Sequence, residues 1–308
     1  MGSRVKRRKK KSKKFLWISI IGLILLLIGL YMVYQVSSTF STMHNPLTKD
    51  IDQERDKELK QILKDHESIN LLLLGVDERP GDKGRSDTMI LMSLNPNTDS
   101  TLMLSIPRDT YVNIPGRGMD KINHAYAFGD VELSIQTVEE AFDVPVHFYA
   151  KVNMEGFKEG IDAIGGVTVQ NDRAFTQGEH HFPEGSIHLN GDQALNFIRM
   201  RKNDPQGDLG RNKRQRMVIE AAMSEAASLS NITKIGSILN ILGDNVETDV
   251  TMGRLQTLFF NYRNTRKNID TIEINGSGQF IGPIWYYVVS EEEFDRVHRA
   301  IIDHMEAR

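Results

Sequence analysis

Two kinds of apolar pattern follow one another along this chain. Phe15 to Val36 reads FLWISIIGLILLLIGLYMVYQV, with no charged residue. As a helix these 22 residues span about 33 Å, enough to cross a hydrocarbon core of roughly 30 Å. A polar stretch follows, Ser37 to Ser68, in which Leu59, Ile62 and Leu63 have the spacing of a short amphipathic helix. It reads as a linker standing on the membrane. From Ile69 the pattern changes to short apolar runs bounded by turn residues: INLLLLGV (69–76), MILMSL (89–94) and LMLSI (102–106). Such runs are expected of strands buried on both faces, with Asn95 to Thr98 as the turn of a hairpin.

Helical spacing takes over further on. Val131 to Phe142 reads as one helix. Glu155 to Ile164 reads as another, with Phe157, Ile161 and Ile164 on one face and Gly165-Gly166 stopping it before a Val167-Thr-Val strand. A polar loop is expected over Gln170 to Asn190, then helices over 191–200, 209–229, 232–242 and 253–262. Strands at 269–274 and 285–289 precede a last helix, for which Ser290 and Glu293 supply a capping box. Strands alternating with helices imply an α/β domain with a central mixed sheet covered by helices on both faces. The expected organisation is a basic tail (1–14), one N-terminal transmembrane helix (15–36), a linker (37–68) and a single domain (69–308).

Charge fixes the topology. Arg4 to Lys14 carries nine Lys or Arg and no acid, which places the N-terminus in the cytoplasm and the domain outside. An apolar core longer than that of a signal peptide, with no clear A-x-A site, favours an uncleaved anchor. With those nine set aside from the 38 Lys and Arg, 29 remain against 41 Asp and Glu, so the outer part is acidic. There is no cysteine, which excludes disulfides, thiolate metal sites and a thiol nucleophile.

Against that acidic background, Arg199 to Arg216 carries seven basic side chains with only Asp204 and Asp208 among them. Guanidinium groups pair bidentately with phosphate, so the stretch points to a bound polyanion. Arg199 and Arg201 suit the carbonyls at the end of one helix, and Asp208 suits the N-cap of the next. Arg211, Lys213, Arg214 and Arg216 are crowded where the helix dipole opposes them, and a bound anion resolves the conflict. Three further segments follow or precede buried strands, the positions at which α/β folds place ligands. They are Gly75 to Met89, with Asp77, Arg79, Arg85 and Asp87; Ser105 to Asp109, where Pro107 aims Arg108 and Asp109; and Asp120 to Tyr126, where Lys121 opens a helix. Taken singly, each could also be a solvated turn, a surface ion pair or a helix cap.

GRSDTM, SIPRD, KINHAY, DAIGGV, LNGDQALNFIRMR and DLGRNKRQR, in this order and spacing, resemble the LytR-CpsA-Psr family over roughly residues 69–218. Within it the chain is most similar to the polyisoprenyl-teichoic acid–peptidoglycan teichoic acid transferases. The resemblance implies a phosphotransferase on the outer face of a Gram-positive cell membrane. Such an enzyme moves a glycopolymer from a polyprenyl-pyrophosphate carrier to the 6-hydroxyl of N-acetylmuramic acid in peptidoglycan. It further implies that Arg85, Arg108, Lys121, Arg199, Arg201, Arg211 and Gln215 hold the pyrophosphate. Asp77 and Asp87 match the acidic positions near a divalent metal, Mg²⁺ or Mn²⁺, and Asp208 a further acidic site residue. Arg108, Arg201, Asp87 and Asp208 are then the candidate catalytic groups, and the lipid tail lies in an apolar tunnel.

Rival readings are few. His180, His181 and His188 lack the partners of a zinc motif and read as loop histidines. No G-x-S-x-G elbow or P-loop is present, which disfavours a serine hydrolase or an NTPase. A nucleic-acid partner is disfavoured because only about 14 soluble residues face the cytoplasm. A pyrophosphate hydrolase or a non-catalytic wall- or lipid-binding protein would use the same arginines.

Overall fold

The computed structural model describes residues 43–47, 49–77, 84–201, 204–226 and 241–308. The anchor expected over residues 15–36 lies outside them, as does most of the helix expected over 232–242. Among the described residues no helix is long and apolar enough to cross a membrane.

The domain is built on a six-stranded mixed sheet. Its strands are β1 (Ile69–Val76), β2 (Ser86–Asn95), β3 (Ser100–Ser105), β6 (Phe148–Asn153), β11 (Val246–Thr248) and β12 (Asn268–Ile272), in the spatial order β11-β6-β1-β2-β3-β12. β1–β2–β3 is an antiparallel meander, turned by residues 96–99, while β1 pairs with β6 and β3 with β12 in parallel. β1, β3 and β6 therefore all end on one edge of the sheet, where β2 begins.

Alternation along the strands feeds two cores. Leu72, Leu74, Val76, Met89, Leu91 and Leu104 point to one face, against α2 (His124–Phe142) and α7 (Glu291–Glu306). Ile69, Leu71, Ile90, Met92 and Met103 point to the other. There they meet α1 (Lys49–Asp65), α5 (Asp208–Ala226) and α6 (Met252–Tyr262). Each fully buried aliphatic side chain contributes about 1.5–3 kcal/mol, enough to hold helices on both faces. Ser290 caps α7 by accepting from the Glu293 amide at 3.3 Å, and Phe294, Val297 and Ile301 face the core.

Three expectations are corrected. The presumed linker is in part a domain element: Leu59, Ile62 and Leu63 of α1 pack with Phe148, Val250 and Tyr262, and Arg55 bonds Glu139 at 3.0 Å. An amphipathic helix buries its apolar stripe on whatever apolar surface adjoins it, and here that surface is the sheet. The polar loop of 170–190 folds as two hairpins. β7 (Val167–Asn171) pairs with β10 (Gly185–Leu189), and β8 (Phe175–Gln177) with β9 (His180–Phe182). Val167, Val169, Phe182 and Leu189 bury one face of this unit. Lys121 ends a strand: β4 (Tyr111–Ile114) pairs with β5 (Gly118–Lys121), and α2 begins only at His124.

Candidate functional site: a polar cleft joined to an apolar slot

Two cavities meet at the sheet edge where β1, β3 and β6 end. The first is a polar cleft whose walls include Asp77, Arg85, Asp87, Arg108, Asp109 and Lys121. β1 delivers Asp77, the start of β2 delivers Arg85 and Asp87, and the chain beyond β3 delivers Arg108 and Asp109. Pro107 donates no hydrogen bond, and its carbonyl accepts from the Thr110 amide and from Thr110 Oγ1. That tight turn aims the two charged residues off the strand end.

Charges in the cleft are interlocked. Arg108 Nη1 donates to Asp87 Oδ1 at 2.5 Å, and its Nε lies 3.6 Å from Asp109 Oδ2. Lys121 Nζ donates to Asp109 Oδ1 at 2.6 Å and stands 5.7 Å from the centre of the Tyr286 ring. Behind Lys121, Asp120 accepts from the Lys121 amide and pairs with His124 Nδ1 at 2.8 Å. Burial opposes the charge of Asp120, but these hydrogen bonds outweigh it and hold its carboxyl below the usual range.

The second cavity is amphipathic. Its mouth shares Asp77 and Asp87 with the cleft and adds Arg199, Arg211 and Gln215. Its depth is lined by Leu73 of β1, Val152 of β6, and side chains of three helices. These are α3 (Met154–Ala163), through Met154 and Phe157; α4 (Gly191–Arg199), through Leu195 and Ile198; and α5, through Ile219. On α5, Arg211, Gln215 and Ile219 are four residues apart, so one helix face grades from charged to apolar as it descends. Gln215 Nε2 donates to Thr88 Oγ1 at 2.8 Å, which ties that face to β2.

The basic stretch is thereby sorted, and the expectation that one anion gathers its crowded charges is corrected. Lys213 pairs with Asp172 at 2.5 Å, and Arg216 with Glu273 at 2.7 Å. Arg214 pairs with Asp204 at 2.6 Å and donates to the carbonyls of Phe197 and Met200, at the end of α4. Only Arg211 of those four lines the cavity. Periodicity explains the split: 100° per residue sends neighbouring basic positions to different sides of α5.

The other candidates fall as follows. Arg85 and Lys121 line the cleft with Arg108, and Arg199 lines the mouth of the slot. Arg201 is exposed just beyond α4 and lines neither cavity. Asp208 is the first residue of α5, and the Arg211 amide bonds Gly207 O at 3.3 Å, so the capping position falls on Gly207. Arg79 lies outside the described residues. His180 pairs with Asp192 at 2.6 Å on the hairpin unit, and among the described residues no three His, Cys, Asp or Glu cluster as metal ligands.

Thr88 and Asn153 join the site without having stood out in the sequence. Asn153 lines the slot and caps α3 by accepting from the Gly156 amide at 2.8 Å. Its place directly after a buried strand and before a helical pattern was the available signal. DAIGGV has a positioning role: Asp162 Oδ1 accepts from the Gly191 amide at 2.7 Å and pins α4 to α3.

Fold and site together define an α/β protein in which a polar cleft of interlocked cations and carboxylates shares Asp77 and Asp87 with an apolar slot. The chain belongs to the LytR_cpsA_psr family, whose sequence profile matches residues 30–302. A relative from Oceanobacillus iheyensis, the polyisoprenyl-teichoic acid–peptidoglycan teichoic acid transferase TagU, is 59% identical over 98% of this chain and 97% of its own. The crystal structure of B. subtilis TagU is 40% identical with a TM-score of 0.66, covering 79% of this chain and 98% of that one. A further solved relative, TagT bound to LI-WTA, is 29% identical with a TM-score of 0.67, covering 78% and 91%.

Proposed function

We propose that this protein transfers a phosphate-linked glycopolymer, wall teichoic acid, from a polyprenyl-pyrophosphate carrier to the 6-hydroxyl of N-acetylmuramic acid in peptidoglycan. The observation that carries the reading is the junction of the two cavities. A diphosphate fits where Asp77 and Asp87 are shared, with Arg199, Arg211 and Gln215 on one side and Arg85, Arg108 and Lys121 on the other. A prenyl chain leaving it in the direction of Phe157, Ile198 and Ile219 buries apolar surface at about 25 cal/mol per Å². The activity for which the Oceanobacillus iheyensis relative is named agrees.

In this reaction the muramyl O6–P bond forms as the bridging P–O bond to prenyl phosphate breaks, and prenyl monophosphate departs. The hydroxyl proton leaves to a carboxylate of the cleft, of which Asp87 has its orientation fixed by Arg108. Phosphoryl transfer needs positioning and charge stabilisation more than covalent chemistry, and a preorganised cation cage supplies both. Asp77 and Asp87 suit a hard cation: Mg²⁺ is bound by one or two carboxylates plus substrate phosphate oxygens and water. Bound there, Mg²⁺ or Mn²⁺ would neutralise charge on the transferring phosphate. Residues 15–36 anchor the chain, with the domain on the outer face of the membrane.

Incubating the purified full chain with lipid-linked polymer and peptidoglycan, with and without Mg²⁺, separates transfer, hydrolysis and mere retention by product. Transfer is expected, and Arg108→Ala should reduce it by about 10²-fold or more while circular dichroism is unchanged. Wild-type rates in that variant would exclude Arg108 from the reaction. Free prenyl monophosphate without polymer on the wall would make the protein a hydrolase.

A further inference from the structure

The tip of the hairpin formed by β13 (Ser277–Ile281) and β14 (Ile284–Val288) lines neither cavity, yet the hairpin carries four of the eight well-exposed large apolar side chains among the described residues. Phe280 is 74% exposed, Ile284 45%, Ile281 40% and Trp285 39%. Consecutive strand residues point to opposite faces, so exposure at 280–281 and again at 284–285 means that the hairpin tip stands clear of the body on both sides. From Ile274 to Ser290 there is no charged residue. Its base, in contrast, is fixed to the cleft. The Tyr287 amide donates to Asp109 O at 2.8 Å, and the Tyr286 ring lies 4.7 Å from that of Tyr111.

We propose that this hairpin is a membrane-contact element, with Phe280, Ile281, Ile284 and Trp285 entering the interfacial layer of the bilayer that holds residues 15–36. The chain's own dimensions favour this occupant. Seven residue steps separate Val36 from Met43, a reach of roughly 25 Å at most, so the domain stays near the bilayer. His44 bridges Thr248 in parallel with β11, whose first residue, Val246, lies opposite Val152 near the end of β6. The chain therefore arrives from the sheet edge at which the two cavities open. β13–β14 follows β12, which ends at that same edge, and its base is bonded to the chain just beyond β3, four strand spacings or about 19 Å from β11. Anchor and hairpin can thus touch one surface together. An uncharged tip with Trp and Phe suits the headgroup boundary, where amphipathic aromatic rings concentrate, whereas a free apolar patch in water is unfavourable. Docked this way, the slot opens toward the bilayer and a lipid carrier reaches it without crossing water.

The proposal rests on the anchor and on the lipid-carrier reading above, and its test separates them. The chain has two tryptophans, Trp17 and Trp285, so full-length protein carrying Trp17→Phe reports on the hairpin alone. Reconstituted into phosphatidylcholine–phosphatidylglycerol vesicles, it is expected to float with them. Trp285 emission should shift to the blue and be quenched at least twofold by acyl chains brominated close to the headgroup. Flotation without quenching overturns the proposal and leaves the anchor intact. A chain that does not float overturns both. Trp285 that responds to soluble glycan strands and not to brominated lipid assigns the hairpin to the acceptor sugar, and the proposal falls. The double variant Phe280→Ser, Ile284→Ser is expected to lose about tenfold in transfer from a long prenyl donor in vesicles. With a short donor in detergent it should match the parent, and equal loss with both donors overturns the proposal.

Discussion

Arg214 and Arg199 belong to one basic stretch and do different things. The Arg214 guanidinium is locked between Asp204, 6% exposed at its side chain, and two helix-end carbonyls. Arg199 is exposed at the mouth of the slot. Removing one member of a buried pair strands the other, at a cost on the order of 3 kcal/mol. Arg214→Ala should therefore lower the Tm by roughly 6–12 °C, while Arg199→Ala should lower transfer tenfold or more with the Tm within a degree or two. Calorimetry beside the transfer assay checks both. His147 is a second residue-scale case. It is buried at 4% exposure, and its Nδ1 accepts from the Asn70 amide at 2.8 Å. Burial, helped by the nearby Arg55, pushes its pKa down to about 4 from 6.5. Below pH 6.5 the unfolded chain binds a proton that the folded one refuses, so stability is full above 6.5 and falls as the pH drops toward 4. The loss is up to about 3 kcal/mol. Asp249, raised to about 6 mainly by burial, contributes the opposite slope between about 4 and 6. His147→Asn keeps an acceptor without the imidazole, and the difference between its denaturation midpoints and the wild type's at pH 7 and pH 5 isolates the histidine. An unchanged difference would show that His147 does not titrate in this range.

At the scale of elements, the slot exists because α3 and α4 approach closely. A Cβ on Gly191 would stand 2.1 Å from Lys158 O, a contact that no rotamer relieves because both partners are backbone. The N-terminal end of α4 is otherwise well built, with the Asn190–Gln193 capping box and the Asp162 bond to the Gly191 amide. Gly191→Ala must push α4 away from α3. An overpacking cost of about 1–3 kcal/mol is expected, together with slower transfer, since Met154, Phe157, Leu195 and Ile198 on these two helices line the slot. Normal transfer in a destabilised Gly191→Ala protein would show that the slot tolerates a shifted α4. The capping residues and the glycine were visible in the sequence as helix-start chemistry. The steric contact was not, because Lys158 and Gly191 are distant in the chain and meet only when both helices cover one sheet edge.

For the whole molecule, the decisive property is the division of one opening into a charged and an apolar half. Filling the apolar half should discriminate donors by lipid length. Ile198→Trp is expected to raise the KM for a long prenyl donor by about tenfold or more, on the basis of the 1–3 kcal/mol that an overpacked site loses. A donor with a very short chain should be affected least. Equal KM changes for both would place the lipid elsewhere. The α1 helix also matters at this scale. Its apolar stripe and the Arg55–Glu139 pair fasten residues 49–65 to the body of the domain.

The chain's order of patterns determined much by itself. Short apolar runs specify β1, β2 and β3, 3.6-residue spacing specifies most of the helices, and an uncharged run of 22 residues flanked by basic charge predicts an anchor. The motif residues at strand ends were legible for the same reason: Asp77, Arg85, Asp87 and Arg108 directly follow or precede runs that must be buried. What the sequence could not show was the partner of each charge. Arg211, Lys213, Arg214 and Arg216 look alike as letters, and only packing separates them, because Asp172, Asp204 and Glu273 come from three different parts of the chain. Nor could it show that 170–190 pairs into hairpins, or that the stretch before Ile69 folds back on the sheet. Such contacts form between segments remote in sequence, and their energy depends on surfaces that exist only once the sheet has assembled.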